Sequence, residues 1–267
     1  QKMLNLSIEA NNAGAHLIIF PELALTGYPP EDLLFRDGFI NQVKHEITNF
    51  CNLAPSDISI LFGAPNKTND FLFNSAYLIQ NNRIINIYNK QELPNYGVFD
   101  EKRYFSSGDD SFVFECQNTK IGVLICEDQW VEGPISNLCQ SSIDIVVSLN
   151  ASPFQLNKQS ERINICKNYA LKFDITFIYV NMVGGQDEVV FDGNSFIVNN
   201  QGDVSLQLPA FKELSVSHID TTFTPSLASN ESLIYSAIVL ATKDYIQKNT
   251  FGGALIGLSG GIDSALT

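Results

Sequence analysis

Apolar positions along this chain follow two rhythms, a helical one and short unbroken runs. In residues 1–14, Met3, Leu6, Ala10 and Ala13 fall at helical spacing, Leu4 and Ile8 widen the stripe and Gly14 closes it, which predicts an amphipathic helix. Residues 16–20 (HLIIF) predict a buried strand, and residues 37–51 resume the helical period. Residues 58–64 predict the next strand, and residues 74–80 and 83–89 a hairpin, because Asn81-Asn82 between them suits a tight turn. A second hairpin is expected from residues 112–115 and 120–125. A helix around 137–141, a strand at 143–149, a helix at 161–173 and a strand at 176–180 follow, and then a last hairpin turning near 199–202.

Continuous rather than alternating apolar runs mean strands covered on both faces. With strands coming singly and in pairs between helices, the pattern fits two sheets packed face to face with helices outside, a four-layer α/β/β/α sandwich; a three-layer α/β sheet is the next reading. Residues 221–230 turn rich in Pro, Ser and Thr and are expected to link a domain of residues 1–220 to the start of a second at 231–267. There a helical stretch at 233–248 and a strand at 254–258 lead into SGGIDSALT. The sequence opens inside one helical period and closes inside another, so both ends are expected to be cuts, with a first strand ahead of Gln1.

Composition narrows the function more than the fold. At 267 residues, 45% hydrophobic and 11% aromatic, the protein has enough apolar material for a substantial core, and disorder is excluded. A formal net charge of −13, from 16 Lys+Arg against 29 Asp+Glu, repels nucleic acid and anionic membranes. No apolar run reaches membrane-spanning length. The five cysteines, Cys51, Cys116, Cys126, Cys139 and Cys166, are odd in number, lack C-x-x-C spacing and come without a signal peptide. Free thiols in a reducing, cytoplasmic setting fit that usage.

The strand at 120–125 delivers Cys126, followed at once by Glu127 and Asp128. A lone unpaired cysteine is most often a small buried hydrophobe. A thiol where the backbone leaves a sheet, however, is held from behind and open in front, as a nucleophile requires. It needs a base. His16 begins a strand, His45 sits in a helix and His218 lies in the late hairpin region, all apart from the loops carrying other chemical signals, which disfavours a Cys-His hydrolase. Glu22 is the alternative base, at the end of the strand at 16–20 in a proline-bounded loop, and Lys90 supplies an ammonium at the end of another strand. Three separate strands each ending in one chemically useful residue make a coherent constellation.

FPELALTGY, YNKQELPNYGVFDEKRYF and LICEDQW, in that order, resemble the three catalytic blocks of the nitrilase superfamily. More narrowly, GYPPEDLL, LPNYGVFDEKRYF, ICEDQW, NASPF and GGQDEVVFDG are similar to the glutaminase domain of the glutamine-dependent NAD synthetases. SGGIDS resembles the pyrophosphate loop opening the synthetase domain of that family, a Rossmann-like ATP pyrophosphatase fold. The resemblance implies the four-layer nitrilase-like sandwich. It also implies roles: Glu22 as general base, Lys90 as oxyanion stabiliser, Cys126 as nucleophile, and Glu101 as a second glutamate holding Lys90 and the amide.

By the same resemblance Tyr28, Tyr96, Phe99, Glu127, Ser152 and a cation after NASPF read the α-amino and α-carboxylate ends of glutamine. That cation is Lys158, with Arg162 the other option, and Asn157 stands where the family has glycine. Ser259, Gly260, Gly261, Asp263 and Ser264 are the implied ATP contacts, through backbone N–H groups that close around phosphate. Implied substrates are glutamine, nicotinic acid adenine dinucleotide and ATP with Mg2+; the glutaminase step is expected to need neither metal nor cofactor, and the assembly is expected to be a homo-oligomer. Lacking most of a synthetase domain, these residues alone are expected to make no NAD. A stand-alone nitrilase-type amidase or carbamoylase would share Glu22, Lys90 and Cys126 but not SGGIDS, and a non-catalytic scaffold would be expected to have lost one of the three.

Overall fold

The computed structural model describes residues 1–213 and 228–266, so His218 and residues 221–227 of the expected linker lie outside the described residues. Helix α1 (Lys2–Asn12) and strand β1 (Leu17–Ile19) are followed by α2 (Asp37–Leu53), β2 (Ser59–Thr68), β3 (Phe71–Gln80) and β4 (Arg83–Asn89). These strands form a four-stranded sheet in the order β1-β2-β3-β4, parallel between β1 and β2 and antiparallel beyond. Asn81 (φ 49) and Asn82 (φ 59) supply the left-handed pair that the β3–β4 turn needs.

The second half runs through β5 (Val113–Cys116), β6 (Thr119–Ile125), α3 (Glu132–Cys139), β7 (Ile145–Asn150), α4 (Lys158–Phe173) and β8 (Thr176–Asn181). A small hairpin, β9 (Val183–Gln186) with β10 (Val189–Asp192), precedes β11 (Phe196–Val198) and β12 (Val204–Gln207). The larger sheet has six strands in the order β12-β11-β8-β7-β6-β5, with β6, β7 and β8 parallel at its centre.

The residues of β2 show why its apolar run is unbroken. Ile60 and Phe62 face α1 and α2, where they meet Leu6, Val43, Ile47 and Phe50. Leu61, between them, faces the other sheet and joins Leu78, Val123, Ile125, Val147 and Leu149 in the central core. On the far side, Leu124, Val146, Phe177 and Tyr179 pack under α3 and α4 against Ile135, Leu138, Cys166 and Ala170. Away from the exposed start of edge strand β4, both sheets are covered on both faces, and the result is the four-layer α/β/β/α sandwich.

Three local features depart from the periodicity. Helix α3 starts at Glu132, ahead of the expected 137–141, because Pro134 falls in its first turn, where proline leaves no broken hydrogen bond. The β9–β10 hairpin lies in a glycine-containing stretch without strand periodicity; Gly185 lets helix α5 (Asn230–Lys248) approach, since a Cβ there would lie 2.8 Å from Ala241 Cα. Gly185 N also donates to Asp244 Oδ2 at 2.8 Å. Residues 254–258, expected as a strand, pair with nothing among the described residues, and Leu255 and Leu258 are exposed. An extended segment with no neighbouring ladder does not hold as a strand. The short helix α6 (Ile262–Leu266) follows.

Candidate active site

Glu22, Lys90 and Cys126 lie just past the ends of β1, β4 and β6, strands drawn from both sheets, and all three are buried. Cys126 adopts φ 43, a left-handed conformation uncommon for a non-glycine residue, where β6 turns into a short 3-10 segment. Such an elbow persists only when its surroundings hold it. Two close backbone approaches fix the other residues. A Cβ on Gly63 of β2 would lie 2.2 Å from Leu23 N, so only glycine lets the turn carrying Glu22 pass. A Cβ on Gly108 would lie 2.3 Å from Asn89 O, and Gly108 N donates to Lys90 O at 2.8 Å.

The centre is a buried ion cluster. Lys90 Nζ donates to Glu22 Oε1 at 2.7 Å and to Glu101 Oε1 at 2.8 Å. Glu22 Oε1 also accepts from Asn74 Nδ2 at 2.7 Å, and Glu22 Oε2 accepts from the backbone N–H of Ala151 at 2.8 Å. Tyr28 donates its hydroxyl to Glu101 Oε1 at 2.8 Å. Burial pulls the Lys90 pKa down, but Glu101 and Glu22 outweigh it and hold the ammonium well above the usual lysine value. Burial raises Glu101 to about 7, opposed by Lys90 and assisted by Glu22.

Burial and Glu22 raise the Cys126 thiol well above its ordinary range, against the pull of Lys90. A thiol so placed rests protonated, and any attack by it needs a base that takes its proton as the new bond forms.

The residues expected to read glutamine divide into a wall, a rim and a scaffold. Tyr28, Phe99 and Tyr96 form an aromatic wall, with ring centroids 6.3 Å apart for Tyr28–Phe99 and 5.6 Å for Tyr96–Phe99. Tyr96 donates its hydroxyl to Glu127, 3.0 Å from Oε2. Lys158, at the start of α4, places Nζ 4.1 Å from the Trp130 ring centroid and 2.9 Å from Glu161 Oε2. Asn157 adopts φ 67, a left-handed conformation that asparagine tolerates better than most other side chains and that would equally suit glycine.

Arg162 belongs to the scaffold. It is fully buried, pairs with Asp192 Oδ1 at 2.9 Å, and donates to the carbonyls of Ser152 and Pro153 at 2.9 and 2.8 Å. Its Nε donates to Ser152 Oγ at 3.2 Å, so the Ser152 hydroxyl is engaged with Arg162. Between the two cations, Lys158 is the one that lies partly open, with 27% of its side chain exposed.

Periodicity misses Asn74, Ala151 and Asp128. Each sits inside or beside an apolar run, where an isolated polar residue or a backbone N–H carries no pattern of its own; a polar residue at an inward position of a strand is the one signal that marks Asn74. Further along, Ser259 Oγ lies 3.0 Å from Ser264 Oγ, and Gly260 adopts φ 84 with nothing near its Cβ position, so the SGGIDS segment is an open turn. His16 and His45 are exposed. Among the described residues, no group of three or more His, Cys, Asp or Glu side chains is placed to hold a metal ion, and no helix is long and apolar enough to cross a membrane.

Comparison with known proteins extends this picture. A profile for the carbon-nitrogen hydrolase family matches residues 1–226. The sequence is 41% identical over 276 residues to the glutamine-dependent NAD(+) synthetase of Acinetobacter baylyi, covering all of this chain and 51% of that protein. Its structure matches that of glutamine-dependent NAD+ synthetase from Acinetobacter baumannii in complex with ADP, at a TM-score of 0.91 and 40% identity, over 99% of this chain and 52% of that one. An amidase from Nesterenkonia sp., 22% identical, shares the fold at a TM-score of 0.69 over 78% of both proteins. The chain spans about half the length of the curated relatives it matches.

Proposed function

Because the chain belongs to the carbon-nitrogen hydrolase family, we propose that it hydrolyses the terminal amide of glutamine, as the glutaminase half of a glutamine-dependent NAD synthetase. The observation that carries this reading is the cluster in which Lys90 bridges Glu22 and Glu101 within electrostatic reach of the Cys126 thiol. Glu22 takes the thiol proton while Cys126 Sγ attacks the amide carbon, and the carbonyl electrons move to an oxygen stabilised by Lys90. The tetrahedral intermediate collapses as Glu22 returns the proton to nitrogen. The C–N bond breaks and ammonia leaves a glutamyl thioester on Cys126. A water deprotonated by Glu22 then attacks the thioester, the C–S bond breaks with return of the proton to sulfur, and glutamate is released. Glu101 keeps Lys90 charged and aligned throughout.

Free glutamine, rather than any amide, is selected by its charged end. Glu127, held by Tyr96, takes the α-ammonium; Lys158 takes the α-carboxylate; Ser152 contributes from the loop held by Arg162; and Tyr28 and Phe99 line the aliphatic stem. Residues 231–267 begin the synthetase half, where Ser259, Gly260, Gly261, Asp263 and Ser264 face the phosphates of ATP, which enters with Mg2+ as counter-ion. The ADP bound by the Acinetobacter baumannii relative supports nucleotide use by the full-length enzyme. Nicotinic acid adenine dinucleotide is adenylated with loss of pyrophosphate, and ammonia displaces AMP to give NAD. The full-length enzyme works in the cytoplasm as a homo-oligomer. A stand-alone amidase accounts for the cluster but not for α5 and SGGIDS, which continue past residue 226.

Ammonia release from glutamine, measured on the full-length protein with ATP and nicotinic acid adenine dinucleotide, tests this reading. Cys126→Ala is expected to abolish glutamine-dependent NAD synthesis and to leave synthesis from added ammonium intact. Glutamine use that survives the substitution would remove Cys126 as the nucleophile.

A further inference from the structure

Asp128 is fully buried, yet nothing in the proposed reaction uses it. Its two carboxylate oxygens accept four hydrogen bonds. Oδ1 takes the backbone N–H groups of Gln91 at 2.9 Å and Glu92 at 2.8 Å. Oδ2 takes the backbone N–H of Ile125 at 2.9 Å and the Tyr88 hydroxyl at 2.8 Å. Tyr88, Gln91 and Glu92 surround Lys90 in sequence, and Ile125 immediately precedes Cys126. The strands concerned, β4 and β6, belong to different sheets, so no backbone ladder sets the distance between their ends.

We propose that Asp128 is a positioning residue whose carboxylate clamps the exit of β4 to the exit of β6 and thereby sets the Lys90 ammonium against the Cys126 thiol. The inference rests on the glutaminase reading above. An ionised carboxylate can accept from all four donors at once. Four donors point at two oxygens, and an asparagine would turn its own NH2 toward two of them. Burial pushes the Asp128 pKa up to about 6, against the hydrogen bonds from Glu92 and Ile125 and the charge of Lys90. Keeping this charge in the core thus costs stability, which a group serving packing alone would avoid.

The test compares Asp128→Asn and Tyr88→Phe with wild type and with Cys126→Ala in the full-length protein. It measures kcat and KM for glutamine, the melting temperature, and the rate of Cys126 alkylation by iodoacetamide. Asp128→Asn is expected to lower kcat by about 10²-fold, the cost of misplacing catalytic groups by roughly an ångström, with KM little changed and altered alkylation. Tyr88→Phe removes one donor without orphaning a backbone group, and is expected to lower kcat by roughly fivefold, the worth of one hydrogen bond, with a melting temperature lowered by only a few degrees and the protein folded at the assay temperature. Full kcat in both variants, or losses that only track unfolding, would overturn the clamp. If Asp128→Asn fails to fold, Tyr88→Phe decides. Glutamine turnover by Cys126→Ala would instead overturn the glutaminase reading itself.

Discussion

Lys90 Nζ lies 2.7 Å from Glu22 Oε1, and neither side chain is open to solvent. The same oxygen accepts from Asn74 Nδ2, while Oε2 accepts from Ala151 N. Of the roughly four acceptor positions of a carboxylate, three are therefore occupied, and in the proposed mechanism the remaining one, on Oε2, takes the thiol proton. The surroundings of Glu22 thus distinguish its two oxygens, Oε1 held by Lys90 and Asn74 and Oε2 by the Ala151 N–H alone, a division that suits the proposed roles.

Glu22→Gln keeps the shape and removes the base. Lys90 retains Glu101, so the fold is expected to persist while kcat for glutamine falls by about 10²–10⁴-fold. Steady-state kinetics beside urea denaturation check this, and an active Gln variant would move the base elsewhere.

Lys90→Met leaves Glu22 and Glu101 buried without their cation. Removing one partner of a buried ion pair costs about 3–5 kcal/mol, and equilibrium denaturation should show a loss of that order. Adding Glu101→Gln to Lys90→Met should recover part of it, because one uncompensated carboxylate is gone.

Stability and activity should respond to acid in opposite directions. Glu101 and Asp128 are raised by burial, to about 7 and about 6 from ordinary values of 4.5 and 3.8. A carboxylate raised on folding takes up its proton in the folded state first, so its contribution to stability is full below the unfolded pKa and is lost as pH rises through the folded one. From about pH 7 down to about pH 4 these two groups should therefore raise the melting temperature, and the approach of the protein to its pI of about 4.5 relieves charge repulsion in the same sense. Glutamine hydrolysis should fall over the upper part of that range as Glu101 loses its charge. Melting curves and a kcat/KM profile on the same samples check the pair, and a melting temperature that falls together with activity would contradict it.

The two cations after NASPF should separate cleanly. Lys158→Ala is expected to raise KM for glutamine by about tenfold, the effect of one lost charge-assisted hydrogen bond, with the melting temperature unchanged. Arg162→Ala strands Asp192 in the core and frees the Ser152–Pro153 carbonyls, so its main effect should be unfolding at lower temperature.

Asn157 offers a backbone test. At φ 67, Asn157→Gly should be neutral or slightly stabilising, whereas Asn157→Ala should cost about 1–2 kcal/mol. Thermal denaturation of both variants separates backbone strain from any part of the side chain in catalysis.

Much of this protein is legible from local order alone. The apolar runs of β2, β6, β7 and β8 and the helical periods of α1, α2, α4 and α5 mark their elements, because burial imposes a repeat of two or of 3.6 on the residues themselves. Asn81-Asn82 announces its turn for the same local reason, and Glu22, Lys90 and Cys126 stand out because each follows a strand. The pairing of the two sheets, and everything that holds the triad in place, is of another kind. Ala151 reaches Glu22 across 129 positions, Asn74 reaches it across 52, and Asp128 reaches Gln91 across 37. Gly63 matters only because the Glu22 turn crosses it. Contacts of that length leave no periodic trace, since they are selected by where the backbone brings two atoms together. Neighbouring residues thus settle which elements form and which side groups are equipped for chemistry. Which donors meet which acceptors is settled by packing, because hydrogen bonds act over about 3 Å and only the stacked sheets bring such distant residues that close.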